Sequence, residues 1–185
     1  VIPENFKLKE IKLVNKVAWI TGAGSGIGEA SAIKLSEEGF IVVLSGRTKE
    51  ALDTVASKCE GQVSVKPLDV SNSEDVKGVF ENIISDYGRI DVLVASAGLN
   101  AKNRNWHNVS DEDFDQIIKI DLNGVFYTNR LVLEKMKEQR EGLIINISSW
   151  AGKYVTTLTG PAYTAAKHGV NALTEGINME AGHFG

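Results

Sequence analysis

Tyr163 and Lys167 stand four residues apart in the segment Tyr163-Thr164-Ala165-Ala166-Lys167. On a helix, residues at that spacing share one face, so a phenol and an ammonium would point into one site. A phenol, with a pKa near ~10, is a poor acid and a worse base at neutral pH. A cation beside it favours the phenolate, and proton transfer to or from a carbonyl oxygen becomes feasible. The pair alone is weak, because Tyr and Lys at helical spacing are common on solvated faces. Joined to the upstream turn Thr21-Gly22-Ala23-Gly24-Ser25-Gly26-Ile27-Gly28, it points to hydride chemistry.

That turn falls where a predicted strand runs into a predicted helix. Glycine there permits a tight turn, close backbone approach to a pyrophosphate, and close helix–strand packing. Gly22, Ser25, Gly26, Ile27 and Gly28 are therefore candidate cofactor-binding residues, with free N–H groups and a positive helix end favouring phosphates. The spacing G-x-x-x-G-x-G differs from the common dinucleotide fingerprint G-x-G-x-x-G. A mononucleotide P-loop is excluded, because Glu29 follows Gly28 where a Lys-Ser/Thr pair is needed. At the end of the second predicted strand, an acid about 20 residues beyond the glycines would meet a free ribose 2′-hydroxyl. Gly46 and Arg47 stand there instead, and an Arg can pair with a 2′-phosphate. This favours NADP(H) and leaves NAD(H) open.

The elements that must position these residues follow from alternating apolar runs and amphipathic stretches, the pattern of βαβ units around a parallel sheet. Strands are predicted at residues 17–20, 41–44, 63–68, 91–95 and 143–147. Helices are predicted from the glycine turn to Gly39, over 51–59, from a cap at Ser73 to Tyr87, from a capping box at Ser110 to about Gln139, and over 161–181. The expectation is one doubly wound α/β domain over residues 14–185, preceded by an N-terminal arm of residues 1–13.

Bulk composition narrows the partners. With 185 residues, 43% of them hydrophobic, the chain fits one domain with a sizeable core. The formal net charge of −4 offers no basic field for nucleic acid or anionic membrane. No long apolar run or signal-peptide shape is present, and Cys59 is the one cysteine, so a reduced cytoplasmic setting is expected. His107, His168 and His183 lack ligand spacing, so no metal is expected.

Together these residues resemble the short-chain dehydrogenase/reductase family, in particular its 3-oxoacyl-carrier-protein-reductase-like members, from about residue 14 to the end. Besides the glycine motif and Tyr-x-x-x-Lys, the resemblance includes Asp69-Val70, where the family contacts adenine. Ala97-Gly98 matches the end of its Asn-Asn-Ala-Gly motif, and Ile147-Ser148-Ser149-Trp150-Ala151-Gly152 matches its serine segment. The resemblance implies a Rossmann-like fold and Tyr163 as general acid for carbonyl reduction and base for alcohol oxidation. It implies that Lys167 assists Tyr163 and holds the nicotinamide ribose, and that Ser149, rather than Ser148, bonds the substrate oxygen. It also implies a homo-oligomer, dimer or tetramer, built through the helices from Ser110 and Pro161.

Three departures stand out. Ala95-Ser96 replaces the first two Asn of the family motif, altering its side-chain bonds. Asp121 occupies the position of the family's active-site Asn and enters as a doubtful fourth catalytic member. The sequence stops at Gly185, where a sixth strand should begin, so the last strands of the family fold are expected to be missing. Trp150, Tyr154 and residues 155–159 could line a substrate pocket or simply pack a loop. The expected function is hydride exchange between NADP(H) and a carbonyl or secondary alcohol. An NAD-dependent polyol or hydroxysteroid dehydrogenase, or a nucleotide-binding regulatory protein without turnover, are the alternatives.

Overall fold

The computed structural model describes residues 15–184, so the arm predicted over residues 1–13 lies outside the described residues. Five strands alternate with helices in the predicted order: β1 (Val17–Thr21), α1 (Gly26–Glu37), β2 (Ile41–Ser45), α2 (Lys49–Ala56), β3 (Val63–Val65), α3 (Ser73–Tyr87), β4 (Val92–Ala95), α4 (Asp111–Ile118), α5 (Gly124–Gln139), β5 (Leu143–Asn146) and α6 (Pro161–Ala181). The strands form one parallel sheet in the order β3-β2-β1-β4-β5. The order reverses between β1 and β4, and ligands of such sheets bind in the crevice at that switch point, beyond the carboxyl ends of the strands. Register brings those ends level: Thr21 pairs with Ser45 and Ala95, and Ala95 with Asn146.

Both sheet faces are covered, which is why β1 and β4 read as unbroken apolar runs. Val17, Trp19, Val43 and Leu93 face one way, against Val76, Val79 and Ile83 of α3 and Val132 and Met136 of α5. Ala18, Ile20, Val42, Leu44, Val92 and Val94 face the other, against Ala32 of α1 and Leu52 and Val55 of α2. Trp19 is buried as expected, and its indole N–H is satisfied by donating to Ser45 Oγ at 3.0 Å.

Several boundaries differ from the sequence reading for identifiable reasons. The cap of α3 is Asn72, not Ser73: the Asn72 side chain accepts from the N–H groups of Glu74 and Asp75, and Ser73 is already helical. The ladder of β3 ends at Val65, yet Lys66 and Leu68 still donate to Leu44 O and Gly46 O, and Pro67 between them occupies a sheet edge where no donor is needed. The β4 ladder starts at Val92, yet Asp91 N–H still donates to Val17 O and Asp91 O accepts from Leu143 N–H, while its carboxylate accepts from Val17 N–H and Arg89 Nε, both at 2.8 Å. The helix predicted from Ser110 to Gln139 is not regular. Ser110 does cap it, accepting from Asp113 N–H at 3.0 Å, but a π turn over Lys119–Asn123 separates α4 from α5. At the exit of that turn Gly124 is pressed onto Val70, leaving no room for a side chain, and the buried Asp121 faces inward.

The glycine turn is equally tight. Gly22 has φ +64°, and a Cβ there would come within 2.7 Å of Ala97 N and 2.8 Å of Ala97 Cα. Gly22→Ala should therefore lower stability by about 1–3 kcal/mol through overpacking against backbone. Urea unfolding at unchanged slope checks this; a midpoint equal to that of the parent protein would show that the turn has slack.

Candidate active site

A cavity of about 830 Å³ opens over the carboxyl ends of the strands and reaches from the glycine turn to α6. That size lies within the range of small-molecule and cofactor sites. Its floor at one end is Gly22, Gly24, Ser25, Gly26 and Ile27. The first N–H groups of any helix lack intrahelical acceptors. In α3 and α4 a side chain caps them, whereas Ser25 makes no such bond to α1. The amino end of α1 thus presents unfilled donors and a positive dipole to the cavity, a fit for a pyrophosphate. Gly26, with φ +58° and nothing within 4 Å of a built Cβ, keeps the approach open. Gly28 is the one predicted glycine that does not line the cavity. It lies behind the turn, where a Cβ would strike the Gly22 carbonyl, so its role is close packing of α1 on β1.

Arg47, Asp69 and Val70 line the next part of the cavity, beside the ends of β2 and β3. Burial pushes the Asp69 carboxyl up, but hydrogen bonds from the Ser71 hydroxyl and N–H, with the nearby Arg47 charge, overcome it and hold the group below its ordinary value. Asp69 is thus a fixed acceptor, while the Arg47 side chain is exposed at the cavity rim. The loop after β4 is held from β1: Thr21 Oγ1 accepts from Ser96 and Ala97 N–H at 3.2 and 3.4 Å. That bond places Ala97 and Gly98 along the cavity wall.

At the far end Ser149, Tyr163, Lys167 and Asp121 converge. Pro161 begins α6 and fixes its first turn, and Gly160 before it, at φ +77°, packs against Arg104. One turn on, Tyr163 and Lys167 share the inward face, with Lys167 Nζ 5.5 Å from the Tyr163 ring centroid. Lys167 is 4% exposed. Its ammonium donates to Ile147 O at 3.0 Å and stands 3.5 Å from Asp121 Oδ2. Asp121 is fully buried, and its Oδ1 accepts from Leu99 N–H at 2.8 Å. Burial raises the Asp121 carboxyl above its ordinary range; Lys167 and the Leu99 N–H pull it back without cancelling the effect.

The serine segment is clamped onto α6. Ser148 Oγ donates to Lys167 O at 3.4 Å, and Asn171 Nδ2 donates to Gly152 O at 3.0 Å. Ser149 caps a short 3-10 turn, its Oγ accepting from Ala151 N–H at 3.1 Å. A serine hydroxyl used this way as an acceptor keeps its own proton free to donate. Such a donor beside a phenol and a held ammonium can bind a carbonyl or alcohol oxygen and move a proton to or from it.

All the predicted site residues except Gly28 line this single cavity. Sequence reasoning missed the supports: Thr21, Leu99 N–H, Ile147 O and Asn171. Of the loop residues considered for a substrate pocket, Thr159 lines the cavity. Trp150 and Tyr154 instead pack on each other, ring centroids 5.0 Å apart, and remain exposed. His168 is exposed, its Nδ1 paired with Thr164 O at 2.9 Å. Among the described residues, no group of three His, Cys, Asp or Glu could hold a metal ion, and no helix is long and apolar enough to cross a membrane.

Comparison with known proteins agrees with this geometry. The family model for short chain dehydrogenases matches residues 16–185. An uncharacterised oxidoreductase of Staphylococcus aureus (strain USA300) is 39% identical over 174 residues, 94% of this chain and 74% of that protein. Another, from Staphylococcus saprophyticus, is 39% identical over 167 residues, 90% of this chain and 67% of that protein. Among solved structures, levodione reductase superposes with a TM-score of 0.89 at 31% identity, covering 92% of this chain and 68% of that one. A metagenomic short-chain oxidoreductase in complex with NADP superposes with a TM-score of 0.86 at 34% identity, covering 94% and 79%. The chain therefore belongs to the short-chain dehydrogenase family and is an NAD(P)-dependent oxidoreductase.

Proposed function

We propose that the protein interconverts a small-molecule carbonyl and its secondary alcohol with NADP(H), with Tyr163 moving the proton. The observation that carries this reading is the buried Lys167 ammonium, fixed by Ile147 O and Asp121 and held 5.5 Å from the Tyr163 ring in the cavity that also contains the glycine turn. When bound, the nicotinamide supplies the hydride for reduction or accepts it in oxidation. The protein contributes position and electrostatics. Ser149 donates its hydroxyl proton to the substrate oxygen and stabilises charge developing there. In reduction, the Tyr163 hydroxyl gives its proton to that oxygen; in oxidation, the deprotonated oxygen takes it back. The Lys167 cation favours the negative charge Tyr163 then carries, and its remaining N–H groups suit ribose hydroxyls.

For the cofactor, the Gly22–Gly28 turn would take the pyrophosphate, Asp69 and Val70 the adenine, and Ala97, Gly98, Tyr163 and Lys167 the nicotinamide half. Arg47 at the cavity rim favours a 2′-phosphate, and the NADP-bound relative is in keeping with that choice. Asp121 enters the working set as the partner of Lys167. A homo-oligomer formed through the α4–α5 helix and α6 suits the exposure of Phe126 and Met179 on those elements. Lone Cys59 suits a reducing, cytoplasmic setting.

Tyr163→Phe should cut NADPH turnover by about 10²–10⁴-fold against whichever ketone, sugar, steroid or acyl thioester proves active, while dinucleotide binding by fluorescence changes little. Substantial residual turnover would sink the proton-transfer role. Arg47→Asp should weaken NADPH binding by about 10- to 100-fold, the worth of a charge-assisted pair, and shift preference toward NADH. An unchanged NADPH/NADH ratio would refute the 2′-phosphate assignment.

A further inference from the structure

Asp121 brings a negative charge to a site whose working cation is Lys167. Its geometry separates charge from shape. Oδ1 is committed to Leu99 N–H at 2.8 Å, a bond that an amide oxygen at the same place would make equally well. Oδ2 is buried without a hydrogen-bond partner and stands 3.5 Å from Lys167 Nζ. Gly98 lies against the pair: a Cβ there would come 3.0 Å from Asp121 Oδ2 and 3.5 Å from Lys167 Nζ. A residue bearing an amide at 121 would leave the packing alone and make the site one negative charge poorer.

The surroundings leave this charge little competition. The other titratable side chains lining the cavity are Arg47, Asp69, Tyr163 and Lys167. Of the elements packed on α6, α4 carries Asp111, Glu112, Asp113 and Asp115, the π turn carries Lys119, α5 carries Tyr127, Arg130, Glu134, Lys135, Lys137 and Glu138, and Lys153 follows the 3-10 turn; none of these lines the cavity. Among the described residues, Lys167 is the one cation paired with Asp121, at 3.5 Å. Both groups are buried, and buried charges a few ångströms apart interact more strongly than at a surface. The cation that favours a deprotonated Tyr163 therefore acts with a carboxylate at its back.

We propose that Asp121 is a positioning residue whose charge sets the working pH of Tyr163: it offsets part of the Lys167 field and moves Tyr163 ionisation to a higher pH than an amide at position 121 would. This rests on the proposed proton-transfer role of Tyr163 and concerns its regulation. The sign follows from electrostatics, since a like charge disfavours the anionic form and removing it favours that form.

The test is a spectrophotometric titration of tyrosinate in the full chain, without cofactor or substrate. Subtracting the Tyr163→Phe spectrum isolates position 163, and the same subtraction is made on the Asp121→Asn background. The Asn variant should form tyrosinate at position 163 at a lower pH than the parent. An equal midpoint, or one shifted upward, overturns the inference. Should Asp121→Asn fail to fold, carboxyl ¹³C NMR of the parent decides: Asp121 must be ionised throughout the pH range in which tyrosinate forms, and a neutral carboxyl there overturns the proposal. Neither readout involves turnover. Failure of the proton-transfer reading would instead appear as retained NADPH oxidation in Tyr163→Phe.

Discussion

A lysine ammonium almost never lies fully inside a protein unless its charge is met, and Lys167 is buried. Much of the site's architecture can be understood from that requirement. The Ile147 carbonyl meets one N–H, so β5 must end where it does. The Asp121 carboxylate meets the charge, so the long helix must turn inward at residue 121, and the π turn accomplishes this. Asp121 in turn needs the Leu99 N–H, which fixes the loop after β4. Four segments distant in sequence are thereby tied to one nitrogen atom. Extra-residue turns of this kind are frequent at functional sites.

The sheet supplies the rest by topology. Reversal of strand order between β1 and β4 opens a crevice, and level strand ends give it a flat floor. One end of the crevice is an uncapped helix terminus suited to phosphate, the other a phenol beside a cation suited to proton transfer. A ligand long enough to span both must carry phosphates at one end and its reactive group at the other. A dinucleotide has that shape, which is why neither motif alone was sufficient and the two together were.

Most of the scaffold was legible from the residues. Unbroken apolar runs located β1 and β2, and the predicted span of α6 coincides with Pro161–Ala181 because a glycine–proline pair marks its start. Two adjacent residues able to cap, Asn72 and Ser73, could not be ranked without the chain's extended conformation at Asn72. The π turn left no trace, since one added residue barely disturbs an amphipathic pattern. The supports of the site were hidden for a different reason. Leu99 contributes an N–H and Ile147 a carbonyl, groups that every non-proline residue carries, and only the tertiary fold decides which of them meets a buried charge. Side chains that do chemistry announce themselves by type; the backbone that holds them does not.

The most direct measurement of the central claim is a crystal structure of the full chain grown in saturating NADP⁺. The pyrophosphate is expected on the N–H groups at the start of α1 and the nicotinamide ring against the Tyr163 hydroxyl, with the ribose within hydrogen-bond reach of Lys167 Nζ. A nicotinamide ring held away from Tyr163, or a crevice without dinucleotide under those conditions, would contradict it.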